Sequence, residues 1–187
     1  MTKLLKPAIA GAVLLCLACG GNKAAPKPVA GVPGEAFAPL TETDVARFAR
    51  ALPAVVSYLH MRGGPEGQLR VRDDAGKVLA HGIEWVAQVE GVDSVFAANG
   101  TDWKFFRAML YRVSVCAWAV GMENEGQGEA MKRVVRSQPN RSMAGQLRSR
   151  IKQMKAAVAA VPEANIEMFR RHYQDLKDFF FIVEEEE

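Results

Sequence analysis

The sequence predicts an all-α fold, an up-and-down bundle of four to six helices, on three observations. Apolar residues recur at spacings of three and four through most of the chain from Thr41 to Val183, the period of a helix with one buried face. Clusters of Gly, Pro and Asn cut that pattern into helix-length segments with short connections, and short connections make antiparallel neighbours. The composition, 49% hydrophobic and 24% charged over 187 residues, is that of an ordinary folded domain. A domain of about 140 residues buries about 68% of its unfolded surface, enough to stand alone.

Two segments precede the bundle. Met1 to Lys6 carries two lysines and no acid, and Ala8 to Ala18 is an uncharged apolar run of 11 residues. As a helix that run is about 17 Å long, too short for a hydrocarbon core of about 30 Å, so residues 1–18 read as a secretory signal peptide. Ala18-Cys19-Gly20 then resembles the lipobox of bacterial lipoproteins, in which a lipid is attached to the cysteine sulfur before cleavage makes that cysteine the first residue. The resemblance covers the first 20 residues and departs from the pattern at Cys16, where leucine is usual. It implies that Cys19 is the lipid-attachment residue and that the protein sits in the bacterial cell envelope, anchored to a membrane through lipid. Gly20, in place of an aspartate after the anchor, implies the outer membrane. The other reading is a plain secretory signal cut after Ala18, leaving Cys19 a free thiol. Residues 19–40 contain GGNKAAPKPVAGVPGEAFAP, with four prolines and no apolar period, and predict an extended, unpacked Gly/Ala/Pro linker.

The helical domain is expected over 41–183. Thr41 is a good N-cap with Asp44 three residues on, and Leu40 with Val45 has the spacing of a hydrophobic staple. Val45, Phe48, Leu52, Val55, Val56 and Leu59 share one face, and Pro53 predicts a kink or restart near Leu52. Residues 68–81 predict either a short β-hairpin around Asp73-Asp74-Ala75-Gly76 or an irregular loop. Short helical turns follow over 83–89 and 91–100. Thr101 is expected to cap the strongest helix, with Trp103, Phe106, Leu110, Val113, Ala117 and Val120 on its seam. A helix around 129–136 ends at Pro139. The next has Met143, Leu147, Ile151, Met154, Val158 and Val161 in register, and the last, beginning at Pro162, has Ile166, Phe169, Tyr173, Leu176 and Phe180. An acidic tail closes the chain at 184–187.

Motifs that carry chemistry are few. Removing the leader with Lys3 and Lys6 leaves 22 basic against 21 acidic residues, so no whole-protein field calls for nucleic acid. Cys116 is the only cysteine of the expected domain and reads as a buried, inert thiol. His60, His81 and His172 stand outside any recognised ligand pattern, so no metal site is expected. No catalytic or cofactor fingerprint occurs, and neither catalytic residues nor cofactors are assigned.

One imbalance stands out. From Ala130 to Pro162 the chain has Lys132, Arg133, Arg136, Arg141, Arg148, Arg150, Lys152 and Lys155 and no acid at all. Arg148, Lys152 and Lys155 fall at i, i+4 and i+7, a single stripe along a helix. The ordinary reading is a solvated face whose charges meet acids from other helices or from the tail. The functional reading is a docking stripe for an anionic lipid, a cell-wall polymer or an acidic protein.

Two functions follow as expectations. The first is a non-enzymatic interaction or scaffold module held at a membrane, and a loose likeness of "LTETDVARFARALP" and "DWKFFRAMLYR" to small all-helical envelope proteins of unknown function agrees with it. The second is a binding protein or enzyme for an envelope substrate, with a pocket among Trp85, Trp103 and Trp118.

Overall fold

The structure, a computed structural model, describes residues 32–62, 75–123, 133, 135–138 and 140–176. Among these it is all-α, with no strand. A 3-10 turn, η1 (Gly34–Phe37), precedes α1 (Glu42–Arg62), α2 (Ala75–Val86), α3 (Val92–Ala98), α4 (Trp103–Glu123), α5 (Arg141–Val158), α6 (Glu163–Arg171) and α7 (Tyr173–Leu176). Four of these helices, α1, α2, α4 and α5, have 12 residues or more. Residues 133 and 135–137 are helical as well. The expected signal peptide, Cys19, the linker up to residue 31, the first half of the 68–81 segment, Phe180 and the acidic tail lie outside the described residues.

The helices are arranged around α4, against which η1, α1, α2, α5 and α6 all pack. Its sequence explains the position. Met109, Leu110 and Tyr111 are consecutive buried residues, as are Val113, Ser114, Val115 and Cys116. Burial on every side of its middle goes beyond the single seam expected for it and puts that stretch in the interior. Phe106 joins the surrounding layers, its ring 4.8 Å from that of Phe48 in α1 and 5.0 Å from that of Phe96 in α3. Such tilted aromatic pairs contribute about 0.5–1.5 kcal/mol beyond the area they bury.

The start of α1 follows the sequence reading: the Thr41 hydroxyl accepts the Asp44 N–H at 3.1 Å, and Leu40 and Val45 are both buried. Pro53 does not restart the helix, which runs unbroken past it with the proline on the exposed side. At the other end of α3, Gly100 (φ +65°) closes the turn: its N–H donates to the Ala97 carbonyl and the Thr101 N–H to that of Phe96. This is the Schellman arrangement, for which the left-handed residue is normally glycine.

Four expectations are corrected. The linker was expected to stay unpacked to residue 40, yet from Val32 onward it belongs to the domain: Val32, Ala36, Phe37 and Leu40 are buried. Pro33, Gly34 and Pro39 stand among these four apolar side chains and give the stretch the composition of a linker, which hides its burial. Residues 75–81 are neither hairpin nor loop but the first half of α2. The cap of α4 is Asp102, whose carboxylate accepts the Phe105 N–H at 2.8 Å, while the Thr101 hydroxyl is buried without a hydrogen-bond partner among the described residues. The helix after Pro162 breaks at His172, leaving Tyr173 exposed rather than in the core.

Candidate functional site

The α5 helix starts at Asn140, whose side-chain oxygen accepts the Ser142 N–H at 2.8 Å, a cap consistent with the helix break expected at Pro139. It packs against α2 and α4, but shallowly. Only Ala144 and Ala157 are buried on it; the expected seam residues Met143, Leu147, Ile151, Met154 and Val158 are half-buried. Small alanines let the helix sit close to its neighbours while the longer apolar side chains remain partly open to solvent.

Arg148, Lys152 and Lys155 are all exposed, and among the described residues none of the three makes an ion pair or a hydrogen bond. Several of the described acids pair with arginines of other helices. Glu35 and Glu84 pair with Arg107, Asp44 with Arg112, Asp102 with Arg47, Glu42 with Arg171, and Glu123 and Glu163 with Arg170. Beside the stripe, Val135, Arg136, Arg148 and Ile151 line an open depression with room of about 270 Å³. Val135 is buried and Ile151 half-buried, while both guanidiniums are exposed. The arrangement can hold an anion over an apolar floor, because Arg presents a planar fork of donors to phosphate or carboxylate oxygens.

A second cluster of charge does structural work. Arg107 of α4 donates from Nε to Glu84 of α2 at 2.5 Å and from its terminal nitrogen to Glu35 of η1. The Glu84 hydrogen bond holds its pKa above the ordinary arginine value. Arg112 donates to the carbonyl oxygens of Glu35, at 3.2 Å, and Pro39, at 3.4 Å. Buried Asn165 of α6 completes the clamp: its side-chain oxygen accepts the Leu40 N–H and its amide donates to the Ala38 carbonyl, both at 2.9 Å. Residues 35–40 are therefore fixed to α4 and α6 by polar contacts as well as by Phe37. Sequence reasoning missed this strap, although a buried asparagine among apolar neighbours usually marks such a backbone partner.

His172 does not stand alone. Its Nε2 meets Glu42 at 2.5 Å and its Nδ1 meets Asp175 at 3.2 Å. The bond to Glu42, then that to Asp175, raises its pKa above 6.5, and the same contact with His172 lowers that of Glu42. His60 and His81 are exposed. No group of three or more His, Cys, Asp or Glu is placed to hold a metal among the described residues. Cys116 is fully buried, and burial pushes its thiol pKa up to about 12.

The three tryptophans are spread over two helices rather than gathered. Trp103 stacks on Phe96 with ring centroids 6.0 Å apart. Trp118 lies fifteen positions further along α4, about 22 Å at helical rise, and Trp85 is on α2; each is half-buried against the core. No described helix is long and apolar enough to cross a membrane. No family model matches the chain, and neither curated proteins nor solved structures yield a similar one.

Proposed function

We propose that the protein is an envelope lipoprotein: acylated on Cys19, carried to a membrane, and acting as a non-enzymatic helical module that docks anionic material on the exposed face of α5. The observation that carries this reading is the stripe of Arg148, Lys152 and Lys155, exposed and without a partner among the described residues, while Glu35, Glu84 and Glu123 pair with arginines of other helices. Self-complementary charges would add little, since exposed ion pairs contribute about 0–1 kcal/mol. Unpaired cations near an anionic lipid surface contribute about 1 kcal/mol each. The outer membrane is the favoured address, on Gly20. The tether adds effective concentration: the 12 residues from Gly20 to Gly31 extend at most about 40 Å, so an anchored domain stays close to the bilayer.

Mass spectrometry of the protein from its own cells tests the address. Removal of residues 1–18 with acyl mass on Cys19 is the expected result; an intact leader or a bare Cys19 thiol overturns it. Docking is tested separately with the unacylated Cys19→Ser chain. Charge reversal at Arg148, Lys152 and Lys155 is expected to weaken binding to phosphatidylglycerol vesicles about 100-fold with helicity intact. Unchanged binding overturns the docking reading.

A further inference from the structure

We infer that the depression beside α5 is a binding site for a single anionic amphiphile, its phosphate held by Arg136 and Arg148 and its alkyl chain laid over Val135 and Ile151. This rests on the docking reading above and deepens it, from a charged face to a ligand class. Three features of the lining carry it. The two arginines rise from different segments, residues 135–137 and α5, and both guanidiniums are exposed with no partner among the described residues. An anion between them gains donors from two sides, which a single stripe along one helix cannot supply. The remaining lining residues are apolar and at least half-buried, so a purely hydrophilic ion would leave them wet. With about 270 Å³ of room, just under the range of about 300–1,000 Å³ usual for small-molecule sites, the depression suits one headgroup and a short length of chain rather than a folded protein. The charge pattern selects against cationic and neutral amphiphiles.

The test is a chain-length series. The Cys19→Ser chain is titrated with inorganic phosphate and with ethyl, butyl, hexyl and octyl phosphate, all kept below their micelle concentrations. Affinity is expected to rise about fourfold per added methylene until the floor is covered. Arg136→Gln or Arg148→Gln is expected to lower affinity for every member of the series at least about tenfold. Ile151→Ser is expected to flatten the rise while leaving inorganic phosphate unaffected. Octyl glucoside, neutral and of equal chain length, is expected not to bind. An affinity independent of chain length, or equal binding of octyl glucoside, overturns the inference. The acidic tail is the competing occupant, and replacing Glu184, Glu185, Glu186 and Glu187 with Gln separates it. Unchanged affinity for octyl phosphate supports the ligand site; a tenfold gain reassigns the groove to the chain's own tail. Because these ligands are monomeric, a failed series with intact vesicle binding overturns the groove alone, and a failed acylation test touches neither.

Discussion

Arginine plays opposite parts on α4 and α5. Arg107 and Arg112 reach across to Glu84, Glu35 and the carbonyls of residues 35–39, and each sits less than half-exposed among partners from other elements. On α5 the three cations of the stripe are exposed and meet no acid among the described residues. The difference lies in where the acids are. Glu35, Asp44 and Glu84 are distributed over η1, α1 and α2 so that each faces α4, whereas the chain from Ala130 to Pro162 offers no acid of its own. Paired arginines tie the N-terminal strap to the centre of the fold; unpaired ones leave charge for something else to use.

This contrast predicts large stability effects on the strap and small ones on α5. Phe37→Ala empties a buried site under η1 and is expected to cost about 3–5 kcal/mol in urea unfolding. A loss below about 1 kcal/mol would mean that the strap is not part of the cooperative unit. Asn165→Ala strands the Leu40 N–H and the Ala38 carbonyl and is expected to cost about 2–4 kcal/mol. Gly91→Ala is expected to cost about 1–2 kcal/mol, because φ there is +81° and the added carbon would lie 2.5 Å from the Tyr58 hydroxyl, itself donating to the Glu90 carbonyl at 2.7 Å. Unfolding curves for each variant check the order.

A finer effect concerns pH. The raised pKa of His172 means that its contribution to stability is complete below pH 6.5 and is lost as pH rises through the raised value. The lowered pKa of Glu42 means that its contribution is present above pH 4.5 and is lost as pH falls through the lowered value. The stability difference between wild type and His172→Gln is therefore expected to be greatest between these limits and to shrink on both sides. A difference independent of pH would show that the contact joining α1 to the α6–α7 junction is not ionic. On α5, Lys152→Glu is expected to leave stability within about 0.5 kcal/mol, which sharpens the comparison with Asn165.

What could be read beforehand, and what could not, follows from the kind of signal each element carries. Thr41, Asp44, Leu40 and Val45 announce α1 through local hydrogen-bonding and packing rules, and the structure has the Thr41 cap and buries both apolar residues. The seam of α4 is equally plain because Phe106, Leu110 and Val113 repeat at helical spacing. Its central position is not, since it depends on how many elements surround it. The strap escapes notice because its partners, Arg107, Arg112 and Asn165, lie 70 or more residues away. The His172 bond to Glu42 is non-local too, spanning 130 residues, although Asp175 at i+3 is in plain view. Thr101 illustrates a near miss: threonine and aspartate both cap helices, and adjacency alone does not decide between them. The stripe on α5 is visible as a run of sequence without acids, but only the fold shows that no described acid reaches it.

The most direct measurement compares two charge reversals in the Cys19→Ser chain on phosphatidylglycerol vesicles. One is Arg148→Glu with Lys152→Glu; the control, Arg50→Glu with Lys104→Glu, reverses the same number of exposed cations on α1 and α4. Loss of salt-sensitive binding confined to the α5 variant is the predicted result. Equal losses in both would contradict a dedicated face on α5 and reduce the interaction to net charge.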